Sequence, residues 1–444
     1  MSSSRLGYGV ARFDALLSFA RKRSMLTKAG SGADRGAPSS AYVHLPFCKR
    51  RCFYCDFPIQ VVGSNPGASH VKDYISEYAD VLCKEIESTG EKNTAKLSTV
   101  FFGGGTPSLT PPETLAKILA VLEKVIGIDS EAEISMEVDP GTFDLDKLRA
   151  YKNLGVNRFS MGVQSFHDDQ LKKCGRSHAL RDVYQAIEDI LSIGPKSWSL
   201  DLISGLPHLN IDTWSHTLSE TIRANPDHVS VYDLQIEEST PFARWYTPGV
   251  APLPTNDAGA EMYALASDKL RSAGFEHYEV SNYAKPGHRC VHNMSYWSMV
   301  PFHAFGLGAA SYLNGQRFHR PKKMKEYVDW VQGLPAKGGV GMLGTTSAET
   351  EEDRLLDMIM LRFRLKDGLD LAVLEGGFGG DVRENVCGAL GKFVAEGFVE
   401  KVDGGGGVLS CDEDWSKVDS VRLHDPKGFL VSNDVISEIF ASVS

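Results

Sequence analysis

The sequence predicts an α/β fold: an open (β/α)6 partial barrel over about residues 41–240, followed by a C-terminal α+β domain that resembles a winged helix. Six short apolar runs alternate with stretches of helical periodicity, which is typical of a parallel sheet covered by helices. Polar residues fall at or near the C-terminal ends of several of these runs, at the rim where α/β barrels carry their chemistry. The 444 residues are 42% hydrophobic and 23% charged, as in ordinary globular proteins.

The predicted strands follow one another between residues 41 and 234. They are Ala41–Phe47, Thr99–Phe102, Glu133–Val138, Arg158–Val163, Ser199–Ile203 and His228–Leu234. Between them, residues 71–86 and 115–126 carry apolar side chains at helical spacing. The second of these helices follows Thr110-Pro-Pro-Glu113, which predicts a capping box with proline in the first turn.

The C-terminal part follows a different pattern. Residues 351–363 and 382–396 have helical periodicity, and residues 398–402 and 408–410 read as a hairpin around the glycine run 404–407. Helices followed by a hairpin indicate the small winged-helix-like domain. We therefore expect four parts: 1–40 transit peptide and linker, 41–270 barrel, 271–345 extension, and 346–444 C-terminal domain.

The first 40 residues differ in composition from the rest. They hold seven Lys or Arg residues against two Asp, and serine is frequent. Such a segment is typical of a mitochondrial or plastid transit peptide. We expect a mitochondrial location, with the plastid as the alternative; a merely disordered basic tail would have a similar composition.

Composition excludes several classes of protein. The formal net charge of −10 argues against a nucleic-acid partner. The chain has no apolar run of about 18 residues, so the sequence predicts no transmembrane segment. Eight cysteines are too few for a disulfide scaffold in a chain of this length.

Three of the cysteines form the strongest local signal. Cys48, Cys52 and Cys55 have the spacing C-x3-C-x2-C directly after the first predicted strand. Thiolates are soft ligands that suit iron–sulfur clusters or zinc. Three local ligands would leave one iron of a cubane open for an exogenous ligand. The alternative is a zinc site completed by His44 or a distant cysteine.

The segment Tyr42-Val-His-Leu-Pro-Phe-Cys48, together with this spacing, resembles the radical S-adenosylmethionine (SAM) superfamily. The resemblance implies a partial barrel of the radical SAM type and a [4Fe–4S] cluster on Cys48, Cys52 and Cys55. It further implies SAM bound to the fourth iron and a low-potential electron donor. One-electron reduction would then cleave SAM to methionine and a 5′-deoxyadenosyl radical.

Residues near the ends of the predicted strands resemble a family within this superfamily. In their order along successive strands, they are similar to the SAM-contacting positions of the coproporphyrinogen III dehydrogenase (HemN) family. On that basis the SAM-binding residues are Tyr42, Tyr54, Gly104, Gly105, Thr106, Glu137, Gln164, Arg176 and Asp201.

Two features point to a sister branch of that family. The porphyrinogen enzymes carry a further cysteine two places after the third, where this chain has Phe57. A second motif, H-N-x-x-Y-W, resembles the haem-binding signature of the HemW haem chaperones. It consists of His292, Asn293, Tyr296 and Trp297. Histidine is a common haem ligand, so His292 is the first candidate for the iron, with Cys290 and His288 as rivals.

These resemblances leave three functions open. The first is a haem chaperone that passes haem to respiratory acceptor proteins. The second is an enzyme that oxidatively decarboxylates coproporphyrinogen III to protoporphyrinogen IX. The third is a SAM-cleaving enzyme acting on another tetrapyrrole. Phe57 and the H-N-x-x-Y-W motif favour the first, whereas the shared barrel and SAM positions do not discriminate and do not decide whether SAM is turned over.

Overall fold

The computed structural model describes residues 37–89, 95–334 and 349–443. The predicted transit peptide, up to residue 36, lies outside the described residues. No helix within the described ranges combines the length and the apolar character needed to cross a bilayer.

A nine-stranded sheet forms the body of the protein, in the order β11-β1-β4-β5-β6-β7-β8-β10-β9. Its strands are β1 Ser40–Leu45, β4 Leu97–Gly104, β5 Ile128–Val138, β6 Arg158–Gln164, β7 Ser197–Ser204, β8 His228–Asp233, β9 Glu276–Glu279, β10 Asn282–Ala284 and β11 His303–Phe305. The six parallel strands from β1 to β8 confirm the predicted (β/α)6 partial barrel. The sheet is wider than predicted, because β11 pairs parallel with β1 and β10 pairs antiparallel with β8.

Helices flank this sheet. In chain order they are α1 Ser69–Thr89, α2 Pro112–Val125, α3 Leu145–Asn153, α4 Asp168–Lys173, α5 Leu180–Ile193, α6 Ile211–Ala224, α7 Pro241–Trp245, α8 Asn256–Ser272, α9 Val291–Trp297 and α10 Met324–Gln332. Two small ladders lie beside it: β2 Phe47–Cys48 with β3 Gln60–Val61, and β12 Ala310–Leu313 with β13 Gln316–His319.

The capping box predicted before α2 was wrong, although proline does occupy the first turn. The residue that caps α2 is Pro111, whose side chain offers no hydrogen-bond acceptor, and Thr110 lies one residue too early. The Thr110 side chain is buried instead, at the end of the turn Pro107–Leu109. Two consecutive prolines therefore set the start of the helix through their fixed φ angles rather than through a side-chain cap.

The C-terminal domain has the predicted winged-helix-like architecture. Its elements are α11 Glu351–Arg362, β14 Leu369–Asp370, α12 Leu371–Phe378, α13 Gly380–Ala395, β15 Val399–Val402, β16 Ser420–Leu423, α14 Lys427–Leu430 and α15 Ser432–Val443. The strands form one sheet in the order β14-β16-β15. Buried apolar side chains form one core in the barrel and a second core here, against which Trp297 of α9 packs.

The predicted hairpin around the glycine run forms, but it is shorter than predicted. Val402 and Val408 make an antiparallel bridge, the Asp403 N–H donates to the Gly407 carbonyl at 3.0 Å, and the Leu409 N–H donates to the Lys401 carbonyl at 2.9 Å. The main partner of β15 is β16, which the sequence did not predict. The carboxylate of Asp403 accepts the N–H groups of Gly405 and Gly407 and tightens the glycine turn. The chain then leaves the sheet edge, and the Lys401 ammonium binds carbonyls further along this segment.

Candidate functional site

The three motif cysteines lie in a loop that β2 and β3 close at its base. The N–H of Phe53 donates to the carbonyl of Cys174 at 2.9 Å, and the N–H of Cys55 donates to the carbonyl of Cys52 at 3.2 Å. The Arg51 guanidinium donates to the carbonyls of Cys55 and Phe57 at 3.0 and 2.9 Å. These bonds fix the loop from both ends, so the thiols are held in a preformed arrangement.

Two side chains outside the loop donate to the cysteine sulfurs. The Thr106 hydroxyl lies 3.5 Å from Sγ of Cys48, and Nη1 of Arg176 lies 3.4 Å from Sγ of Cys52. Burial raises the pKa of Cys48 to about 12, although the Thr106 hydrogen bond opposes that shift. Donors aimed at sulfur favour bound thiolates, the form in which cysteine ligates a metal.

The arrangement of the three cysteine thiols fits an iron–sulfur cluster in which each thiolate binds a different iron. Within the described residues, no three His, Cys, Asp or Glu side chains converge as the ligands of a single metal ion. The three thiols instead face one cavity, and in a cubane each would bind a different iron. His44, the proposed fourth ligand of a zinc site, uses both ring nitrogens in hydrogen bonds, to the Tyr42 phenol and to the Pro58 carbonyl.

A cavity of about 460 Å³ brings the predicted cluster and SAM residues together. All of them line it except Tyr42: the set is Cys48, Cys52, Cys55, Tyr54, Gly104, Gly105, Thr106, Glu137, Gln164, Arg176 and Asp201. Most of them come from the cluster loop, from β4 to β7 or from the turns that follow these strands, as the barrel rim predicts, and Arg176 comes from the segment between α4 and α5. Tyr42 lies instead on a neighbouring cavity described below.

The glycine loop after β4 touches the cluster loop backbone directly. The Gly105 N–H donates to the Leu45 carbonyl at 3.0 Å, and the Thr106 N–H donates to the Phe47 carbonyl at 2.7 Å. A Cβ on Gly105 would lie 2.6 Å from the carbonyl carbon of Pro46. Only glycine allows this approach, so the loop and the strand that leads into Cys48 fit together as one unit.

Polar groups in the cavity are arranged for a ligand with hydroxyl and amino groups. Oε2 of Glu137 accepts the Gly104 N–H at 3.0 Å, and burial together with Asp201 raises the Glu137 pKa to about 7. The Ser160 hydroxyl lies 3.0 and 3.1 Å from the two carboxylate oxygens of Asp201. Oε1 of Gln164 is buried without a protein partner, and its residue has a φ of 69°. These features fit SAM.

Arg176 lines this cavity and also forms a buried ion pair with Asp139. Its Nη2 contacts the Asp139 carboxylate and donates to the Gly162 carbonyl at 2.7 Å. Nδ1 of His178 lies 3.2 Å from the same carboxylate. Burial alone would raise the Asp139 pKa, but Arg176 and His178 outweigh it and hold that pKa below its usual range. Arg176 is therefore fixed between an acid and a cysteine sulfur.

Three residues of the H-N-x-x-Y-W motif line a second, mostly apolar cavity of about 560 Å³. Helix α9 presents Asn293, Tyr296 and Trp297 to it, and Met299 and Phe302 continue the wall. Phe57 and Tyr232 line both this cavity and the cluster cavity. The two spaces are therefore neighbours that share a wall.

His292 does not line the apolar cavity. It is 1% exposed, with Nδ1 2.7 Å from the Thr99 hydroxyl and Nε2 2.7 Å from the Tyr296 phenol oxygen. Its ring stacks on Phe101 at 5.2 Å between centroids. Burial, followed by Arg158, lowers the His292 pKa to about 3, so the imidazole is neutral. Both ring nitrogens are engaged in this conformation.

The two rival ligands are also placed away from the apolar cavity. Cys290 is 1% exposed, and its sulfur lies 3.7 Å from Oε1 of Glu133. Nδ1 of His288 lies 3.2 Å from the Ser197 hydroxyl. Neither residue lines the cavity that holds Asn293, Tyr296 and Trp297.

Sequence reasoning missed some residues that line these cavities. Tyr232 and Asp233 end β8, so the positional rule that found Glu137 and Asp201 applies to them equally. Glu279, on β9, and Arg317, on the β12–β13 hairpin, line the apolar cavity. No strand of the predicted barrel contains either of these two, and no motif marks them.

Comparison with known proteins places these features in a family. A model of the radical SAM superfamily matches residues 42–220, and a model of the HemN C-terminal domain matches residues 350–406. The chain is 40% identical to the heme chaperone HemW of Synechocystis sp. over 413 residues, which cover 91% of this chain and 97% of that protein.

A mitochondrial relative and a solved structure are also similar. Radical S-adenosyl methionine domain-containing protein 1, mitochondrial, of Bos taurus is 34% identical over 285 residues, or 63% of this chain and 62% of that protein. The coproporphyrinogen III oxidase HemN of Escherichia coli has a TM-score of 0.74 at 22% identity. The match covers 91% of this chain and 90% of that structure, and it supports a shared fold.

Proposed function

Because the chain belongs to the HemW family of radical SAM proteins, we propose that it is a haem chaperone that binds haem and delivers it to acceptor proteins. The observation that carries the proposal is the position of Asn293, Tyr296 and Trp297 on one wall of the apolar cavity. Flat aromatic surfaces beside an apolar space suit the face of a porphyrin. The described part of the predicted extension, residues 271–334, would thus contribute Asn293, Tyr296 and Trp297 to the haem site.

In this proposal the cluster cavity stays a separate compartment. Cys48, Cys52 and Cys55 would hold a [4Fe–4S] cluster, and the other residues of that cavity would hold SAM. Such a cluster supplies one-electron chemistry when it is reduced by a low-potential donor. Arg176 and Thr106 would stabilise the thiolates, and Phe57 and Tyr232 would separate SAM from the cargo. We propose a structural, redox or regulatory role for this compartment.

The charge of the apolar cavity disfavours coproporphyrinogen III as the substrate. That molecule carries four propionates, whereas haem carries two. Among the described residues lining the cavity, Arg317 is the single Lys or Arg. Phe57 occupies the position at which the porphyrinogen enzymes have a further cysteine. Its side chain is 57% exposed and lines both cavities.

The proposal is tested with anaerobically reconstituted protein, titrated with haem and followed by absorbance. We expect stoichiometric binding that Trp297→Ala weakens and Trp415→Ala leaves unchanged, since Trp415 lies in the C-terminal domain away from the cavity. The same samples are assayed for coproporphyrinogen III conversion with SAM and a low-potential reductant. Protoporphyrinogen formation over many turnovers would overturn the chaperone assignment.

We also propose that the chain is imported into mitochondria. The composition of residues 1–40 and the mitochondrial relative support this location. A fluorescent protein fused to residues 1–45 should co-localise with a mitochondrial marker. A variant with the basic residues of that segment replaced by glutamine should stay diffuse. A plastid signal, or a diffuse signal from the unaltered fusion, would refute the assignment.

A further inference from the structure

An exposed tryptophan packs against the cluster loop. The ring of Trp245, the last residue of α7, lies edge-on to the ring of Phe53, with 5.0 Å between the centroids. Phe53 follows Cys52 directly in the loop, and its carbonyl accepts the N–H of Phe242 at 3.1 Å. Trp245 is nevertheless 54% exposed. A large aromatic surface therefore lies open next to a residue that follows a predicted cluster ligand.

Basic side chains lie around this aromatic pair. The guanidinium carbon of Arg50 lies 5.4 Å from the centre of the Phe53 ring, and Arg244 precedes Trp245 in the chain. Two lysines end α4, beside Cys174, whose carbonyl accepts the Phe53 N–H at 2.9 Å. Four basic residues here are exposed and make no ion pair within the described ranges: Arg50, Lys172, Lys173 and Arg244.

The charge around the aromatic pair differs from that of the whole chain, whose formal net charge is −10. The exposed acids of the same segments lie elsewhere along them: Asp56 follows Cys55, Asp168 and Asp169 begin α4, and Glu238 lies three residues before α7. Tryptophan and arginine are enriched at the centres of protein interfaces, and cations around them attract an acidic partner.

We infer that this docking surface, formed by Arg50, Phe53, Lys172, Lys173, Arg244 and Trp245, binds an acidic, low-potential electron carrier protein that reduces the cluster. The inference rests on the cluster compartment proposed above and assigns a partner to it. The reduced carrier loses one electron and the cluster gains it, so no bond forms or breaks. Because Phe53 and Cys52 are adjacent in the chain, the docked carrier would lie beside a cluster ligand.

An anionic membrane is another class of partner that suits tryptophan and basic side chains. Helix α7 has only five residues, too few for a continuous amphipathic face along a bilayer. The contact with the cluster loop also has no use in membrane binding, whereas electron transfer needs it. These two observations favour the electron carrier.

The test uses reduced flavodoxin, an acidic flavin protein whose hydroquinone becomes a blue semiquinone when it loses one electron. It is mixed anaerobically with the full chain carrying a reconstituted cluster, and semiquinone formation gives the rate. The wild-type rate should fall as salt is added, because opposite charges steer the encounter. Lys172→Glu combined with Lys173→Glu should slow the reaction about tenfold at low salt and weaken its salt dependence.

Trp245→Ala changes no charge and should slow the reaction about tenfold at a subsaturating carrier concentration, as loss of an interface anchor predicts. Should Trp245→Ala disturb the loop and lower cluster content, the exposed lysine variant still supplies the test. Photoreduced deazariboflavin, a small uncharged reductant, should reduce the cluster equally fast in all variants.

Matched controls use exposed residues away from the docking surface. Lys84→Glu combined with Lys325→Glu makes the same change of charge on α1 and α10, where neither residue lines the cluster cavity. Trp415→Ala is the control for Trp245→Ala, because Trp415 lies in the C-terminal domain. Both controls should react with flavodoxin at the wild-type rate.

The outcomes separate the docking surface from the cluster assignment. If wild type binds iron and sulfide and deazariboflavin reduces it, but the surface variants match wild type with flavodoxin, the inference is refuted and the cluster assignment stands. The same holds if these variants lose only binding to vesicles of phosphatidylserine, because the surface then binds membranes. If wild type forms no cluster, both fail, while haem titration still tests the chaperone function.

Discussion

The phenol oxygen of Tyr296 lies 2.7 Å from Nε2 of His292, and the two side chains are one helical turn apart on α9. Tyr296 faces the apolar cavity, whereas His292 stands behind it and is held from the other side by Thr99. The histidine of the motif thus fixes the tyrosine that lines the cavity proposed for haem. It would bind haem iron only if it gave up one of its two hydrogen bonds.

Substitution of His292 should therefore act through Tyr296. We expect His292→Ala and Tyr296→Phe each to weaken haem binding, and the double variant to be no weaker than His292→Ala, because one hydrogen bond is lost in each case. His292→Ala should also lower the free energy of unfolding by about 1–3 kcal/mol, the cost of leaving buried partners unsatisfied. Haem titrations and urea unfolding of the three variants supply both measurements.

Spectroscopy of the same variants separates this role from iron ligation. If His292 binds iron directly, His292→Ala will shift the Soret band and the electron paramagnetic resonance signal of bound ferric haem, and Tyr296→Phe will leave both unchanged. Matching spectra in the two variants are expected from a positioning role.

The cluster cysteines give a second prediction. Anaerobic reconstitution of Cys48→Ala, Cys52→Ala or Cys55→Ala should yield protein with iron and sulfide near background, because each cysteine binds a different iron of a cubane. Cys411→Ala should keep full content, since Cys411 is exposed in the C-terminal domain. Iron, sulfide and zinc are measured per chain. Stoichiometric iron in any of the three variants would contradict the ligand assignment.

The contact between the glycine loop and the cluster loop is the basis of a third prediction. In Gly105→Ala, the new Cβ would meet the backbone of Pro46 and Phe47 at 2.6–2.8 Å, so one of the loops must shift. Overpacking of this kind costs roughly 1–3 kcal/mol. We expect lower stability in urea and lower cluster content after reconstitution.

Gly388→Ala is the matched control for that substitution. Gly388 is exposed within α13, and an added Cβ would meet nothing within 4 Å. Alanine in a helix interior should stabilise the chain by about 0.5–1 kcal/mol relative to glycine. Equal effects of the two substitutions would show that the Gly105 contact is dispensable.

The sequence predicts the barrel and its rim well for a physical reason. The carboxyl ends of parallel strands meet at one edge, so Glu137, Gln164 and Asp201 converge although up to 64 residues separate them. The sequence does not predict as well how deep in the barrel a given side chain lies, and therefore which cavity it lines. Tyr42 lies three residues before the end of β1, and it lines the apolar cavity and not the cluster cavity.

Other features had no local signal. Strands β9 to β11 have only three or four residues each, too few for a period to be recognised, and they widen the sheet through pairing distant in sequence. Arg317 forms an ion pair with Asp357, which is 40 residues away along the chain and lies in another domain. The four-residue spacing of His292 and Tyr296, by contrast, predicts their contact on a helix, once the helix itself is assigned.

The Glu137 carboxyl gives the last prediction, a pH dependence. Burial, then the nearby Asp201, raises its pKa in the folded chain to about 7. In the unfolded chain an ordinary glutamate titrates near pH ~4.3. The folded state therefore binds the proton more tightly, and its stability falls as the pH rises between these two values. Glu137→Gln keeps an acceptor for the Gly104 N–H and removes the titration.

Urea unfolding of chain purified without iron, at pH 5 and pH 7.5, measures this effect. The gain in unfolding free energy on Glu137→Gln should be larger at pH 7.5 than at pH 5, by at most about 3 kcal/mol given ~1.4 kcal/mol per pKa unit. Glu279 and Asp233 also have raised pKa values, but they contribute equally to both proteins and cancel in the comparison. Glu131→Gln, an exposed position on the same strand, should give parallel profiles. Parallel profiles for Glu137→Gln would mean that this carboxyl is already ionised in the folded chain at pH 5.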